Sequence, residues 1–341
     1  MTGGAGYIGS TVSSALEEAG HVPVVLDSLV TGQRAFVRDR AFYQGDIGNR
    51  ALIEQIFADH PDMAATMHFA ARIVVSESVA QPALYYRENV VSSLKLFETL
   101  MALGQQRVIF SSSASIYASP AHFEVTEDSP VAPLSPYART KWMTEQMLAD
   151  LCAASAGTPR PLRAIALRYF NPIGADPAGR SGPYLPDPSH VLGRLMHAAQ
   201  YPPHLFSLTG TDYPTRDGSG LRDYIHVWDL ARAHVAALEH FDTALTAEGV
   251  DHPPGFLAIN VGTGRGVTVR ELVEAFQTVS PRAVQVNEVP RRPGDSAGAA
   301  ANITRAGQLL GWTPQLSTLD ALRSAFAWEA QRPEVLAGRQ V

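Results

Sequence analysis

Gly3, Gly6 and Gly9 stand in GxxGxxG spacing directly before an apolar helical pattern over residues 8–19. No other feature restricts the fold as much. Glycines let the chain turn tightly and let backbone approach a pyrophosphate. The helix that follows offers its free N–H groups and the positive end of its dipole to the phosphates. Eighteen residues past Gly9, Asp27 closes the apolar run 22–26. A carboxylate there suits an adenosine ribose hydroxyl and favours NAD over NADP. Asp46, after the weaker run 42–44, is placed to reach the adenine. Glycine triplets are common loop signals, so the placement of Asp27 is what gives this one weight.

The motif brings an anomaly. In a fold of this kind a central strand precedes the glycines, yet only Met1 and Thr2 do so here. Without that strand its neighbours would lose hydrogen-bond partners. The expectation is a longer native N-terminus that supplies it.

Apolar runs at 22–26, 42–44, 65–69, 108–111 and 164–169 alternate with helical patterns at 8–19, 50–59, 85–103 and 136–154. This alternation predicts an α/β fold with a doubly wound parallel Rossmann-type sheet. From Asn171 the order loosens. Residues 171–188 and 211–220 read as long loops, of the kind that carry function. Helical patterns at 190–200, 227–240, 269–278, 304–310 and 319–329, with strand-like runs at 205–209 and 256–261, fill the remainder. The expected division is a dinucleotide-binding domain over 1–171 and a smaller α+β substrate domain over 172–341. Segments around 222–262 are expected to return to the first.

Composition narrows the function. A chain of 341 residues with 45% hydrophobic and 18% charged residues can bury a sizeable core. Its net charge of −6 excludes a basic nucleic-acid binder. No apolar run reaches the ~18 residues of a membrane span, and no signal peptide is recognised. Cys152 is the single cysteine, which excludes an intramolecular disulfide and a Cys-rich zinc site and suits the cytoplasm. His68 and His226 sit within apolar motifs and read as packed residues, so no metal is expected.

Lysine occurs only as Lys95 and Lys141, against 25 arginines. Lys141 follows Tyr137 by four residues, one helical turn, so the two side chains share a face. Only about 0.06 such pairs arise by chance in this composition. An ammonium beside a phenol lowers the phenol's pKa and makes a general base usable near neutral pH. Ser111–Ser113, closing an apolar strand, can complete a proton path.

With these residues in view the chain resembles the extended short-chain dehydrogenase/reductases and, among them, the UDP-glucose 4-epimerases. The resemblance runs over nearly the whole length. Thr2–Ser10, His68–Ala71, Ser111–Ala114, Ser135–Lys141, Arg168–Pro172 and Arg222–Val227 carry it, the last two most specifically. It implies NAD-dependent interconversion of UDP-galactose and UDP-glucose. Tyr137 would be the base for the 4′-hydroxyl, Lys141 its modulator and a ribose ligand, and Ser113 the serine beside the 4′-oxygen. Tyr7, Ile8, Asp27, Asp46, Ile47, Phe69, Ala70, Asn89, Tyr137, Lys141 and Tyr169 fall at cofactor positions with the three glycines. Ser113, Asn171, His190, Val191, Arg222, Arg292, Asp295 and Ala299 fall at UDP-sugar positions. A homodimer through the helices 85–103 and 136–154 is implied as well.

Some positions depart from the family pattern. Ile73 replaces a frequent lysine, which removes a cofactor phosphate contact. Ala118 replaces a glycine. Thr209 replaces an aromatic near the uracil, leaving Phe206 for stacking. Ala299 replaces a tyrosine, and the enlarged pocket implies activity on UDP-N-acetylglucosamine and UDP-N-acetylgalactosamine. A dehydratase needs an acidic pair where Ala114-Ser115-Ile116 stands. Uronate or pentose 4-epimerases and a non-catalytic NAD-binding homologue remain the alternatives.

Overall fold

The computed structural model describes residues 1–118, 120, 122–188, 190–249, 252–291 and 296–338 of the 341. One parallel sheet organises the first body. Arg107–Ser113 lies between Thr66–His68 and Arg163–Tyr169, and Phe256–Val261 extends the sheet beyond Arg163–Tyr169. On the other flank Val25–Asp27 pairs with Phe42–Gln44. Parallel strands covered on both faces read as continuous apolar runs. Phe256–Val261 is accordingly buried at every position.

The gap expected before the glycine motif is closed by Met1–Gly3. Thr2 bridges in parallel to both Leu26 and His68. Its amide donates to the Met67 carbonyl at 3.0 Å, and its carbonyl accepts from Phe69 at 3.0 Å. Across the other side, Gly3 donates to Leu26 and Leu26 to Met1, both at 2.9 Å. One bridging residue and its flanks thus supply partners to Leu26, Met67 and Phe69. The Met1 amine is buried and donates to the Val24 carbonyl at 2.8 Å. Desolvation draws its pKa down to about 5.

Helices cover both faces. On one, Val12 and Leu16 of Tyr7–Glu18 pack with Leu230 and Ala233 of Val227–Glu239 over Ile109, Ile165 and Ile259. On the other, Leu96, Phe97, Leu100 and Leu148 cover Val108, Phe110 and Ala164. The single helix expected over 85–103 is instead Pro82–Tyr85, a π-helical turn Tyr86–Val91, and Ser92–Ala102. Such π segments recur at functional sites.

The second body packs the helices Val191–Gln200, Val269–Val279 and Thr318–Leu336 around Leu195, Phe206, Leu272, Phe276 and Leu322. The stretch read as a loop from Asn171 opens with a strand, Asn171–Ile173, parallel to Tyr224–His226. Leu205–Thr209 pairs with Gln285–Val289, and Leu221–Arg222 lies between Val267–Thr268 and Gly298–Ala301. Gln285–Val289 is largely exposed and Gly298–Ala301 is glycine and alanine alone, so neither shows an apolar alternation.

Candidate active site

A cavity of about 1310 Å³ runs along the C-terminal ends of the parallel strands and into the second body. Ligands of open α/β sheets bind at this edge. The volume exceeds the ~300–1,000 Å³ of a typical single-ligand pocket and leaves room for two.

Gly3, Gly6, Tyr7, Ile8 and Gly9 form one wall. Gly3 has φ +69°, and a Cβ there would stand 2.6 Å from the Ala70 nitrogen. A Cβ on Gly9 would stand 2.3 Å from the Gly3 carbonyl oxygen. Only glycine fits either position. Gly6 caps Tyr7–Glu18 without a side-chain hydrogen bond. The first-turn N–H groups are therefore left to a ligand. Asp27 accepts from the Ala5 amide at 2.9 Å and the Leu29 amide at 2.8 Å. An ionised carboxylate has about four acceptor sites, so capacity remains for a hydroxyl. A glycine-only cradle, an uncapped helix end and a fixed carboxylate fit a dinucleotide.

Asp46, Ile47, Phe69, Ala70, Tyr137, Lys141 and Tyr169 also line the cavity. Asn89 does not. Its carboxamide accepts from the Arg72 amide at 2.8 Å and donates to the Arg72 carbonyl at 2.9 Å and to Thr140 Oγ1 at 3.1 Å. It clamps the chain behind the wall.

Tyr137 sits in the first turn of Pro136–Ser155, where Ser135 caps the helix and Pro136 starts it. Lys141 follows one turn later. Ser113 ends the strand Arg107–Ser113, and its hydroxyl bonds the Tyr137 phenol. Lys141 Nζ donates to the Ser111 carbonyl at 2.6 Å and lies 5.0 Å from the Phe110 ring centre. Burial draws the Lys141 ammonium down to about 7, with Glu145 opposing. Burial likewise raises the Tyr137 phenol above its ordinary value, against the Ser113 hydrogen bond. In the protein alone desolvation outweighs the Ser113 hydrogen bond. Tyr169 bonds Ser111 Oγ through its hydroxyl, and burial raises it too.

Across the cavity stand Asn171, His190, Val191 and Arg222. His190 caps Val191–Gln200 by accepting from the Gly193 amide at 3.1 Å. Burial holds it neutral, with a pKa of about 4. The Arg222 guanidinium donates to the carbonyls of Leu221 (2.7 Å), Ala297 and Ser296 (both 3.2 Å). It has no carboxylate partner among the described residues, so its charge is available to an anion. Ala299 pairs with Arg222 in the sheet but does not line the cavity. It packs on the cluster of Ile116, Tyr117, Val125, Phe170 and Ala301. Phe170, in that cluster, does line the cavity. Arg292 and Asp295 lie outside the described residues.

Phe206 and Thr209 line the same end, joined by Tyr213, over whose ring Arg291 stands at 4.0 Å. Tyr184 spans the two bodies by donating to the Thr31 carbonyl at 2.6 Å. Tyr213, Tyr184 and Arg72 escaped the sequence reading because loops bring them to the wall and no spacing marks them.

Residues 1–261 match the NAD dependent epimerase/dehydratase family. The UDP-glucose 4-epimerase of Azospirillum brasilense is 44% identical over 96% of this chain and 91% of its own. That of Rhizobium meliloti (strain 1021) is 40% identical over 97% of each. The structure of UDP-glucose-4-epimerase from Stenotrophomonas maltophila, with bound NAD and formylated UDP-arabinopyranose, superposes with a TM-score of 0.89. It is 35% identical and covers 98% of both chains. The enzyme from Bifidobacterium longum, in complex with NAD+ and UDP, gives 0.87 at 32% identity, again over 98% of both.

Proposed function

The chain belongs to the NAD-dependent epimerase/dehydratase family, and from that premise we propose that it interconverts UDP-galactose and UDP-glucose at the sugar 4-position. One observation carries the reading. Tyr137, Ser113 and Lys141 meet in a single cavity that has the glycine cradle on one side and Arg222, without a carboxylate partner among the described residues, on the other.

When bound, NAD supplies a reversible hydride acceptor for the sugar carbon. The glycine loop, the Tyr7–Glu18 helix end and Asp27 hold it, with Asp46, Ile47, Phe69, Ala70 and Tyr169 closing the wall. Tyr137 Oη takes the proton of the 4′-hydroxyl and later returns it to the 4-keto oxygen on the inverted face. Ser113, bonded to that phenol, orients the hydroxyl. Lys141 supplies the positive charge that lets the phenol ionise; a charge next to a buried group acts strongly because water does not screen it. Arg222 and Asn171 hold the diphosphate, with Arg292 and Asp295 assigned to the same ligand. His190 and Val191 meet the uridine side. No net oxidation occurs, so the cofactor need not leave.

Residues 1–171, with the segments around 222–262 that return to the sheet, form the NAD domain, and the rest of 172–341 the UDP-sugar domain. UDP-N-acetylglucosamine and UDP-N-acetylgalactosamine are further substrates, supported by the small Ala299 behind Phe170. The chain forms a cytoplasmic homodimer. Exposed Val91 and Met143 on the proposed interface helices support the homodimer, and the free buried Cys152 supports the cytoplasm. Incubating the purified protein with UDP-galactose, without added NAD, and quantifying UDP-glucose tests the central claim. Silence with and without added NAD would sink it.

A further inference from the structure

The charges around the NAD side of the cavity are unbalanced. Asp27, Asp46, Glu77 and Glu88 line the cavity near Arg72 and Lys141. Lys141 is committed to the Ser111 carbonyl at 2.6 Å. A dinucleotide diphosphate carries two negative charges into this chamber. The helix N-terminus offers it only about half a positive charge.

Arg72 is positioned to supply the remainder. The backbone nitrogen of Ala70 abuts the glycine loop, within 2.6 Å of where a Gly3 Cβ would stand. Arg72 is two residues on, at most about 7 Å along an extended chain. Asn89 fixes that peptide on both sides, through its hydrogen bonds with the Arg72 amide and carbonyl. The backbone is thus pinned while the side chain stays adjustable. The guanidinium lies 3.6 Å from Glu77, beyond hydrogen-bond length, and donates no hydrogen bond among the described residues. The other Glu77 oxygen already accepts from the Tyr85 hydroxyl at 2.8 Å. A loose, partly solvated pair of this sort contributes little, whereas guanidinium–phosphate contacts are short and bidentate. The neighbouring Ile73 also lines the cavity and brings no charge.

We propose that Arg72 is the cationic ligand of the cofactor diphosphate, leaving Glu77 to engage the phosphate oxygens when the dinucleotide binds. This rests on the reading of the cavity as an NAD site. The π-helical turn Tyr86–Val91 then acts through Asn89 as the brace that presents Arg72.

The test follows exchange of bound NAD for labelled NAD in the holoenzyme, comparing wild type, Arg72→Gln and Arg72→Lys. The glutamine variant is expected to exchange about tenfold faster or more, the usual range for a lost charge-assisted hydrogen bond. The lysine variant should fall between. Exchange from wild type should accelerate with salt, and exchange from the glutamine variant should respond less. Thermal midpoints of the NAD-free proteins should agree. Equal exchange in wild type and the glutamine variant overturns the proposal. So do equally fast exchange in both variants and a lowered midpoint, which mark a structural role. A wild-type chain that releases no NAD on denaturation and takes up no labelled NAD overturns the NAD-site reading instead, a result no variant can mimic.

Discussion

The two walls of the cavity are built by different means. The first body presents strand ends of a buried parallel sheet, and its positions are fixed by backbone pairing: Ser113 ends a strand paired on both sides. The second body presents loops and two- to five-residue strands, where side chains such as Arg222 and Tyr213 are held by contacts to distant carbonyls and guanidinium groups. Chemistry that tolerates no misplacement is thereby mounted on the stiff wall. On the proposed reading, recognition of the exchangeable ligand falls to the wall that can vary.

The sharpest separation should come from Tyr137→Phe. The phenol is the proposed base, so kcat should fall by about 10³ or more. The glycine wall is untouched, so bound NAD measured after denaturation should stay near one per chain. Loss of NAD together with activity would break the division of labour between the walls.

Arg222→Gln probes the opposite wall. KM for UDP-galactose should rise about 10- to 100-fold, the scale of a lost charged contact to phosphate, with NAD content unchanged. A fall in kcat alone would mean that Arg222 serves the chemistry. Gly3→Ala should cost about 1–3 kcal/mol, because φ +69° is strained for alanine and its Cβ would meet Ala70. Denaturant unfolding reads the stability, and NAD should be lost with it.

Histidine titration offers a comparison that leaves the sequence alone. Desolvation lowers the pKa of His68 to about 3 and those of His190, His226 and His234 to about 4, from an ordinary value of 6.5. Below 6.5 the unfolded chain therefore takes up protons that the folded chain refuses. The stabilising contribution is full above 6.5 and is lost as pH falls towards 4. His68 and His234 belong to the sheet body, His190 to the other. Unfolding midpoints between pH 7 and 4.5 should fall steadily, and a flat profile would contradict the burial of these rings. The smallest effect is expected from Ala299→Tyr. Pressing on Phe170, it should lower the ratio of UDP-N-acetylglucosamine to UDP-glucose activity a few-fold. An unchanged ratio would sink the pocket argument.

Legibility follows the same division. The helices Arg50–Asp59 and Thr304–Leu310 and the strands Leu205–Thr209 and Phe256–Val261 coincide with their sequence patterns, because each carries its own periodicity or apolar run. Tyr137 and Lys141 were legible because one helix holds both, and Gly3, Gly6 and Gly9 because their spacing is local. The strands Asn171–Ile173 and Gly298–Ala301 were not, since they exist only by pairing with segments far along the chain. The π-helical turn was equally hidden, for residues 85–103 have an ordinary helical pattern.

By itself the sequence determined the glycine cradle, the Tyr137–Lys141 pair and the strand–helix alternation, all of which are relations between residues near one another. Only the tertiary structure decided that Thr2 could bridge the two halves of the sheet, that Asn89 stands behind the cavity, and that Arg72 lines it in only a loose pair with Glu77. It also decided that burial, which depends on everything packed around a group, holds the Tyr137 phenol high and the Lys141 ammonium low. Long-range pairing and desolvation are properties of the packed chain, and no window of sequence contains them.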